Sequence, residues 1–220
     1  MMINGVISVI IAYLLGSIPA AYVITRLATG KDIRQLGGGN VGARNVFQKV
    51  GKGAGVAVAI FDIGKGAAAV AIAYWLSGSP SMQLIGVPQM FVLAAGLAVV
   101  AGHMWSIFLK FTGGNGLATS LGVLSILLTR ELLIVLAITL IFVVLTHNYV
   151  LSVNMSFLLI PISAWLLGES GLFIVFTILL ILIMALHFLP TARAAFADAG
   201  SRENFFAELL RRDKAEKKVR

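Results

Sequence analysis

Long apolar segments, separated by short polar ones, occupy most of this chain. A helix needs about 20 apolar residues to cross a bilayer, and runs of that length or slightly less recur along the sequence. They cover residues 3–26, 55–76, 84–109, 117–129, 132–146, 150–167 and 171–189. The fourth and fifth runs are short, which tilting or local thinning of the bilayer would accommodate. The pattern therefore predicts an all-α integral membrane protein with about seven transmembrane helices.

The basic residues concentrate in alternate loops. One set of loops comprises the segment that ends near Lys52, the loop that carries Lys110, and the region from residue 191 onward. The opposite loops, 77–83, 130–131 and 168–170, contain Arg130 as their only base. Cytoplasmic loops of membrane proteins carry an excess of Lys and Arg. With seven crossings, the asymmetry predicts that the N-terminus lies outside and the C-terminus in the cytoplasm.

The composition narrows the class of protein. The chain is 59% hydrophobic and 12% charged, which excludes an ordinary water-soluble domain. It has no cysteine, and its three histidines are scattered, so we expect no disulfide framework and no histidine-based metal centre. A net charge of +8 could indicate nucleic-acid binding, but bases beside anionic lipid explain it more simply. We therefore expect membrane lipids as partners, and no nucleic acid.

The sequence is predicted to form two parts. Residues 1–190 would be the transmembrane domain, and residues 191–220 a basic amphipathic cytoplasmic tail. In the tail, phenylalanines and leucines are interleaved with charged residues, a pattern typical of a segment that lies along a membrane surface.

A glycine-rich segment in the first basic loop is the first candidate for a binding site. It reads Gly37-Gly38-Gly39-Asn40-Val41-Gly42-Ala43-Arg44-Asn45. Glycines let backbone N–H groups turn toward an anion, and such turns bind phosphate. The candidate contacts are Gly38, Gly39, Asn40, Gly42, Arg44 and Asn45, with added positive charge from Lys49 and Lys52. The alternative is a flexible loop whose asparagines tolerate left-handed backbone.

A second glycine cluster precedes the fourth apolar run. Its candidate phosphate contacts are Gly113, Gly114, Asn115, Gly116 and Thr119. The spacing is not that of a Walker loop, yet it suits the presentation of amides and hydroxyls at a helix N-terminus. A hairpin turn between helices is the alternative. Because both clusters fall on the same predicted face, we expect them to form one site for negatively charged groups.

Four ionisable residues lie within or beside apolar runs. Asp62 and Lys65 are three residues apart and so share a helical face. They form either a structural pair or a group in which Lys65 reaches a substrate phosphate. His103 and His187, near the ends of the third and last runs, are candidates for substrate contact, with a packing role as the alternative for each. His147 and Asn148 indicate a short loop.

In their order and spacing, these motifs resemble those of PlsY, the bacterial glycerol-3-phosphate acyltransferase family that uses acyl phosphate. The likeness covers about the first 120 residues. It is carried by the segments Gly16-Ser17-Ile18-Pro19, Gly39-Asn40-Val41-Gly42-Ala43, Asn45-Val46, Gly51-Lys52-Gly53-Ala54, Phe61-Asp62 with Lys65-Gly66, Gly102-His103-Met104-Trp105, Gly113-Gly114 and Gly116 to Thr119.

The resemblance implies a seven-helix enzyme of the bacterial cell membrane, with its active face toward the cytoplasm. It would move a fatty acyl group from acyl phosphate to the 1-hydroxyl of glycerol 3-phosphate, which yields lysophosphatidic acid for phospholipid synthesis. The family needs neither a metal nor another cofactor for this transfer.

Several positions depart from the family pattern. Gly38 replaces a serine, Gln48 an arginine and Asn115 a lysine, while Arg44 stands where a threonine is usual. Pro190 occupies the position of an asparagine that follows His187 in the third family motif. Two alternatives therefore stay open beside an active acyltransferase. One is a catalytically impaired or altered-specificity homologue that binds phosphates or lipids, and the other is a small-solute transporter.

Overall fold

The computed structural model describes residues 2–78 and 87–201, and the regular structure in these stretches is helical apart from an isolated bridge between Ser106 and Thr112. The α-helices are α1 (Met2–Ser17), α2 (Ala20–Thr29), α3 (Ala43–Lys49), α4 (Lys52–Leu76), α5 (Val87–Met104), α6 (Leu117–Leu127), α7 (Thr129–Thr146), α8 (Tyr149–Phe157), α9 (Ile160–Leu166) and α10 (Gly171–Ala199). Short 3-10 turns occur at Ile33–Gln35 and Ile107–Leu109. The prediction of an all-α protein is confirmed.

Several of the described helices are suited to a bilayer. Four segments are long and apolar enough to cross it, namely Met2–Thr29, Lys52–Leu76, Thr129–Thr146 and Gly171–Asp198. The pair α8 and α9, bent by 40°, would add a fifth. Two further apolar helices, Gln89–Met104 and α6, are shorter. The prediction of apolar helices that can span a membrane is confirmed for these four or five segments, whereas the count of seven crossings stays a prediction.

Two of the predicted runs are interrupted at prolines. The run 3–26 forms α1 and α2, which are separated at Ile18 and Pro19. Proline has no backbone N–H and disfavours helical geometry in the residue before it, so the helix ends there and begins again. The run 150–167 likewise divides into α8 and α9, and Pro161 lies in the first turn of α9. Hydropathy detects neither break, because the apolar character continues through both.

The described residues form two compact units, one up to Thr129 and one from Arg130 onward. In the first unit, α1 packs against α5 and α4 packs against α6. Glycines make both contacts close: a Cβ atom at Gly16 or Gly102 would collide with a backbone carbonyl oxygen of the partner helix, and so would one at Gly66 or Gly122. Small residues that let helix backbones approach are typical of packing within membranes.

The second unit contains the remaining helices. The side-chain oxygen of Asn148 accepts a hydrogen bond from the backbone N–H of Leu151 at 3.0 Å and so caps α8, while His147 and Asn148 form the short connection predicted for them. Helix α10 continues through Pro190 to Ala199, so the beginning of the predicted tail is helical. Residues 202–220 of that tail, and residues 84–86 of the third predicted run, lie outside the described residues.

Candidate functional site

A small pocket lies beside the break in the first helix. Its empty volume, which includes space open to solvent, is about 200 Å³. The lining comes from the break, the first glycine-rich loop, α4, the end of α5 and the second glycine-rich loop, and comprises Gly16, Ser17, Ile18, Pro19, Ala20, Val41, Asp62, Lys65, His103, Ser106, Leu109 and Gly113. Asp62, Lys65 and His103, which the sequence singled out, therefore lie at this pocket together with one residue of each glycine-rich segment, Val41 and Gly113.

The first glycine-rich loop, residues 37–42, is held in place by the Asn45 side chain. The Nδ2 atom of Asn45 donates to the carbonyl oxygens of Leu36 and Asn40, both at 2.9 Å, and to that of Ile33 at 3.4 Å. Gly37 and Gly39 adopt φ values of 58° and 72°, a region that glycine enters without strain. The loop is therefore a defined turn rather than a flexible linker, and Asn45 acts as its internal brace.

The turn before this loop is fixed by an ion pair. Asp32 accepts hydrogen bonds from Arg34, including one of 2.7 Å from Nη2, and its side chain also caps the 3-10 turn through the Arg34 backbone N–H. The hydrogen bond from the Arg34 side chain lowers the pKa of Asp32 and raises that of Arg34. The guanidinium lies 5.5 Å from the centre of the Tyr22 ring, a cation–π distance that ties the turn to α2.

Polar and basic groups surround the loop. The Oδ1 atom of Asn40 is buried and has no hydrogen-bond partner in the structure. Gly38 is exposed, and a Cβ atom there would meet nothing within 4 Å. The Lys49 side chain folds over the loop, with its Cε atom 3.0 Å from the place of a Cβ at Gly37. Arg44 is exposed in the first turn of α3. A bound anion at this loop would meet backbone that no side chain covers at Gly38, and nearby positive charge.

The second glycine-rich loop, residues 113–116, follows the 3-10 turn Ile107–Leu109 and immediately precedes α6. The Gly114 N–H donates to the His103 carbonyl oxygen at 3.2 Å, and Gly116 has a φ of 82° immediately before α6 begins. Asn115 is exposed. Thr119, in the first turn of α6, is fully buried, and its Oγ1 has no hydrogen-bond partner in the structure.

The two loops lie next to each other, as expected from the sequence. A Cβ atom at Gly114 would be 2.7 Å from the Val41 carbonyl oxygen, and Val41 and Gly113 line the same pocket. Val41 of the first loop belongs to one buried apolar cluster with Leu109, which ends the 3-10 turn before the second loop. Whether the two loops bind one ligand stays a prediction.

Three ionisable side chains meet at the pocket. Asp62, Lys65 and His103 are only 2%, 4% and 7% exposed. The Lys65 ammonium is 2.8 Å from the Asp62 carboxylate, and Nδ1 of His103 is 3.4 Å from the same oxygen. The predicted Asp62–Lys65 pair is thus present. A direct contact of Lys65 or His103 with substrate stays a prediction.

The structure also places residues that sequence reasoning missed. Ser17 and Ser106 line the pocket, and the Ser106 hydroxyl donates to the Ser17 carbonyl oxygen at 2.6 Å. The sequence shows Ser17 two residues before Pro19, and Ser106 near the end of the third apolar run. His187 is half-buried on α10 in the second unit, and its predicted role stays a prediction. Within the described chain, no group of three or more His, Asp or Glu side chains could hold a metal ion.

Comparison with known proteins connects this geometry with a family. The family model for glycerol-3-phosphate acyltransferase matches residues 6–195. Glycerol-3-phosphate acyltransferase 1 of Dehalococcoides mccartyi is 38% identical over 210 residues, which cover 93% of this chain and 97% of that protein. The glycerol-3-phosphate acyltransferase of Endomicrobium trichonymphae is 39% identical over 184 residues, which cover 83% and 87% of the two chains.

Solved structures agree with these sequence matches. The crystal structure of PlsY, an integral membrane glycerol 3-phosphate acyltransferase, in its glycerol 3-phosphate form superposes with a TM-score of 0.75 at 29% identity, covering 88% of this chain and 92% of that one. The lysophosphatidic acid form gives a TM-score of 0.71 at 28% identity, covering 93% and 91%. Most of the chain is matched in sequence and in fold, and the chain therefore belongs to the glycerol-3-phosphate acyltransferase family.

Proposed function

We propose that this protein transfers a fatty acyl group from acyl phosphate to the 1-hydroxyl of glycerol 3-phosphate, giving lysophosphatidic acid for phospholipid synthesis. In this reaction the hydroxyl oxygen forms an ester bond to the acyl carbon, the bond between that carbon and the phosphate oxygen breaks, and inorganic phosphate leaves with the proton of the hydroxyl. The relatives named glycerol-3-phosphate acyltransferase, and the PlsY structures in glycerol 3-phosphate and lysophosphatidic acid forms, support this assignment.

The adjacency of the two glycine-rich loops is the observation that carries the proposal. Both substrates are phosphates, so the site must hold two anions close together with the hydroxyl aligned on the acyl carbon. Two backbone turns side by side at one pocket, with Lys49 folded over the first, suit that task. Positioning and charge neutralisation would then provide most of the rate acceleration. The proposed contacts are Gly38, Gly39, Asn40, Gly42, Arg44, Gly113, Gly114, Asn115, Gly116 and Thr119, while Asn45, whose Nδ2 is bound to backbone carbonyls, holds the first loop in place.

We also propose seven crossings, with the N-terminus outside and the active face toward the cytoplasm of a bacterial inner membrane. Four long segments, the bent pair α8 and α9, and the two shorter apolar helices correspond one by one to the seven apolar runs of the sequence. The positive charge of the first loop and of residues 191–220 supports the orientation. We assign residues 1–190 to the membrane domain and the remainder to a basic tail at the cytoplasmic surface.

The replaced family residues bear on the level of activity. Gly38, Gln48 and Asn115 remove three groups expected to contact phosphate, and the loss of one charge-assisted contact typically costs about 1.5–3 kcal/mol. Lys49 lies against Gly37, and Arg44 begins the next helix. These two bases are placed to compensate for the missing charge, which favours an active enzyme over the impaired homologue. The match to acyltransferases over residues 6–195 argues against the transporter.

The direct test is an assay of the purified chain in lipid nanodiscs with acyl phosphate and glycerol 3-phosphate. We expect equimolar release of inorganic phosphate and formation of lysophosphatidic acid. Lys49→Met should raise the KM for glycerol 3-phosphate or for acyl phosphate at least tenfold. The control Lys31→Met, which removes a basic residue between α2 and α3, should leave both KM values within twofold. If a preparation gives a cooperative thermal unfolding transition, and so is folded, but shows no turnover, the proposal is rejected.

A second experiment separates the active enzyme from the impaired homologue. The triple variant Gly38→Ser/Gln48→Arg/Asn115→Lys restores the side chains usual in the family. If the parent is active through Lys49 and Arg44, the triple change should alter kcat by less than about tenfold. A parent without turnover that gains activity in the triple variant would instead identify the chain as an impaired homologue.

A further inference from the structure

One carboxylate oxygen connects the buried side chains at the pocket. Oδ1 of Asp62 is 2.8 Å from the Lys65 ammonium and 3.4 Å from Nδ1 of His103. An isolated charge within a membrane is costly, and a carboxylate paired with an ammonium leaves no net charge. Neutrality requires only the pair, however, so it does not account for the histidine that completes the cluster.

The lysine end of the cluster reaches the break in the first helix. The Lys65 ammonium donates to the Ile18 carbonyl oxygen at 3.2 Å. Ile18 precedes Pro19, which has no N–H, so the regular hydrogen-bond ladder is interrupted here. A charge-assisted hydrogen bond from α4 therefore fixes the carbonyl at the point where the helix axis is broken.

The histidine end of the cluster reaches the second glycine-rich loop, at the place where that loop meets the first. A Cβ atom at Gly114 would collide with Nε2 of His103 and would also lie 2.7 Å from the Val41 carbonyl oxygen. The His103 backbone carbonyl accepts a hydrogen bond from the Gly114 N–H at 3.2 Å. The imidazole ring thus lies against the second loop where that loop meets the first, and rotation of the ring would press on the Gly114 backbone.

We infer that Asp62 and Lys65 are positioning residues that set the spacing of the two loops. Asp62 holds the His103 ring in one orientation, and this orientation fixes the second loop against Val41. Lys65 holds Asp62 in place and fixes the break in the first helix, which forms another wall of the pocket. Neither residue needs to touch substrate for this role. The inference rests on the proposed function, because it assigns the loops to the phosphates of the two substrates.

The double variant Asp62→Asn/Lys65→Met separates positioning from mere charge neutrality. It removes both charges together, so no unpaired ion is left buried, and its unfolding midpoint should stay within about 3 °C of the parent's. Because an error of about 1 Å in alignment can reduce a rate by about 100-fold, we expect kcat to fall 10- to 100-fold. The control Arg130→Met/Glu169→Gln removes an ion pair of the second unit, with 2.7 Å between Arg130 Nη2 and Glu169 Oε1, and should leave kcat within twofold.

A distance measurement tests the inference independently of turnover. The chain has no cysteine, so spin labels can be attached through Gly38→Cys and Asn115→Cys, one exposed position in each loop. Double electron–electron resonance should give a narrow distribution of label-to-label distances with Asp62 and Lys65 present, and a broader or shifted one in the double variant. The control variant Arg130→Met/Glu169→Gln should leave the distribution of distances unchanged.

The outcomes are distinguishable. An unchanged distribution with the parent's kcat in the double variant would overturn the positioning role and leave a neutral structural pair. If the double variant does not fold, Asp62→Glu decides the question, because it keeps the charge but moves the carboxylate by one methylene; a parental kcat and distribution would then overturn the inference. A parent with no acyl transfer rejects the proposed function alone, since the label distances still decide the effect on the loops.

Discussion

The substitution Asn45→Asp tests whether the first glycine-rich loop is braced by one amide. The two 2.9 Å hydrogen bonds from Nδ2 of Asn45 contribute about 1 kcal/mol each, and the 3.4 Å contact adds little. A carboxylate at the same place would present an oxygen to three carbonyl oxygens. The free energy of opening the loop should therefore fall by at least about 2 kcal/mol, which corresponds to about 30-fold in the opening equilibrium.

Hydrogen exchange of the protein in nanodiscs measures this change directly, because amides that exchange through local opening report its free energy. The amides of Leu36 and Gly39, which are hydrogen-bonded within this turn, should exchange about 30-fold faster in Asn45→Asp. The KM for glycerol 3-phosphate should rise in the same variant, because a smaller fraction of the loop is competent to bind. Asn154→Asp, the same change at an exposed position, is the matched control. Exchange within threefold of the parent's would refute the bracing role.

Three further outcomes are expected. Gly66→Ala should lower the free energy of unfolding by about 1–3 kcal/mol, because its Cβ would collide with α6. The control Gly64→Ala, on the open side of the same helix, should leave the free energy of unfolding unchanged, and thermal unfolding compares the two variants. Arg34 lowers the pKa of Asp32, so the ion pair should stabilise its turn fully above about pH 4 and lose this stabilisation as the pH falls further. Hydrogen exchange of the turn should show this pH dependence in the parent and not in Asp32→Asn. Lys110→Val should destabilise by about 1–2 kcal/mol, because a β-branched residue is strained at a φ of 55°, whereas Lys110→Gly should not; equal unfolding midpoints would contradict this.

The hydropathy pattern predicted the membrane helices well but not their interruptions. Each apolar run corresponds to a described helix or helix pair, because burial in lipid imposes the same demand on every residue of a span. The break after Ser17 and the bend before Pro161 depend on single prolines whose effect is geometric. The short length of α6, 11 residues, was visible in the sequence, but the glycine contacts that hold it against α4 were not.

The candidate site was predictable in its parts more than in its assembly. Glycine spacing identified both loops, and the shared basic face indicated that they lie together. The sequence could not show that Asn45 braces the first loop from within, since its three acceptors are backbone carbonyls whose positions depend on the fold. It also could not show that Asp62 faces His103, because the 40 residues between them carry no periodicity that links two helices.

The spacing of Asp62 and Lys65 also matters during synthesis. Because the two residues are three apart on α4, the acid and the base can neutralise each other within a single nascent segment, before any later helix has entered the bilayer. The carbonyl that Lys65 holds belongs to a helix made earlier, while His103 is made later. Asp62 and Lys65 can therefore enter the lipid as an ion pair, with no stage of synthesis at which either is a buried unpaired charge.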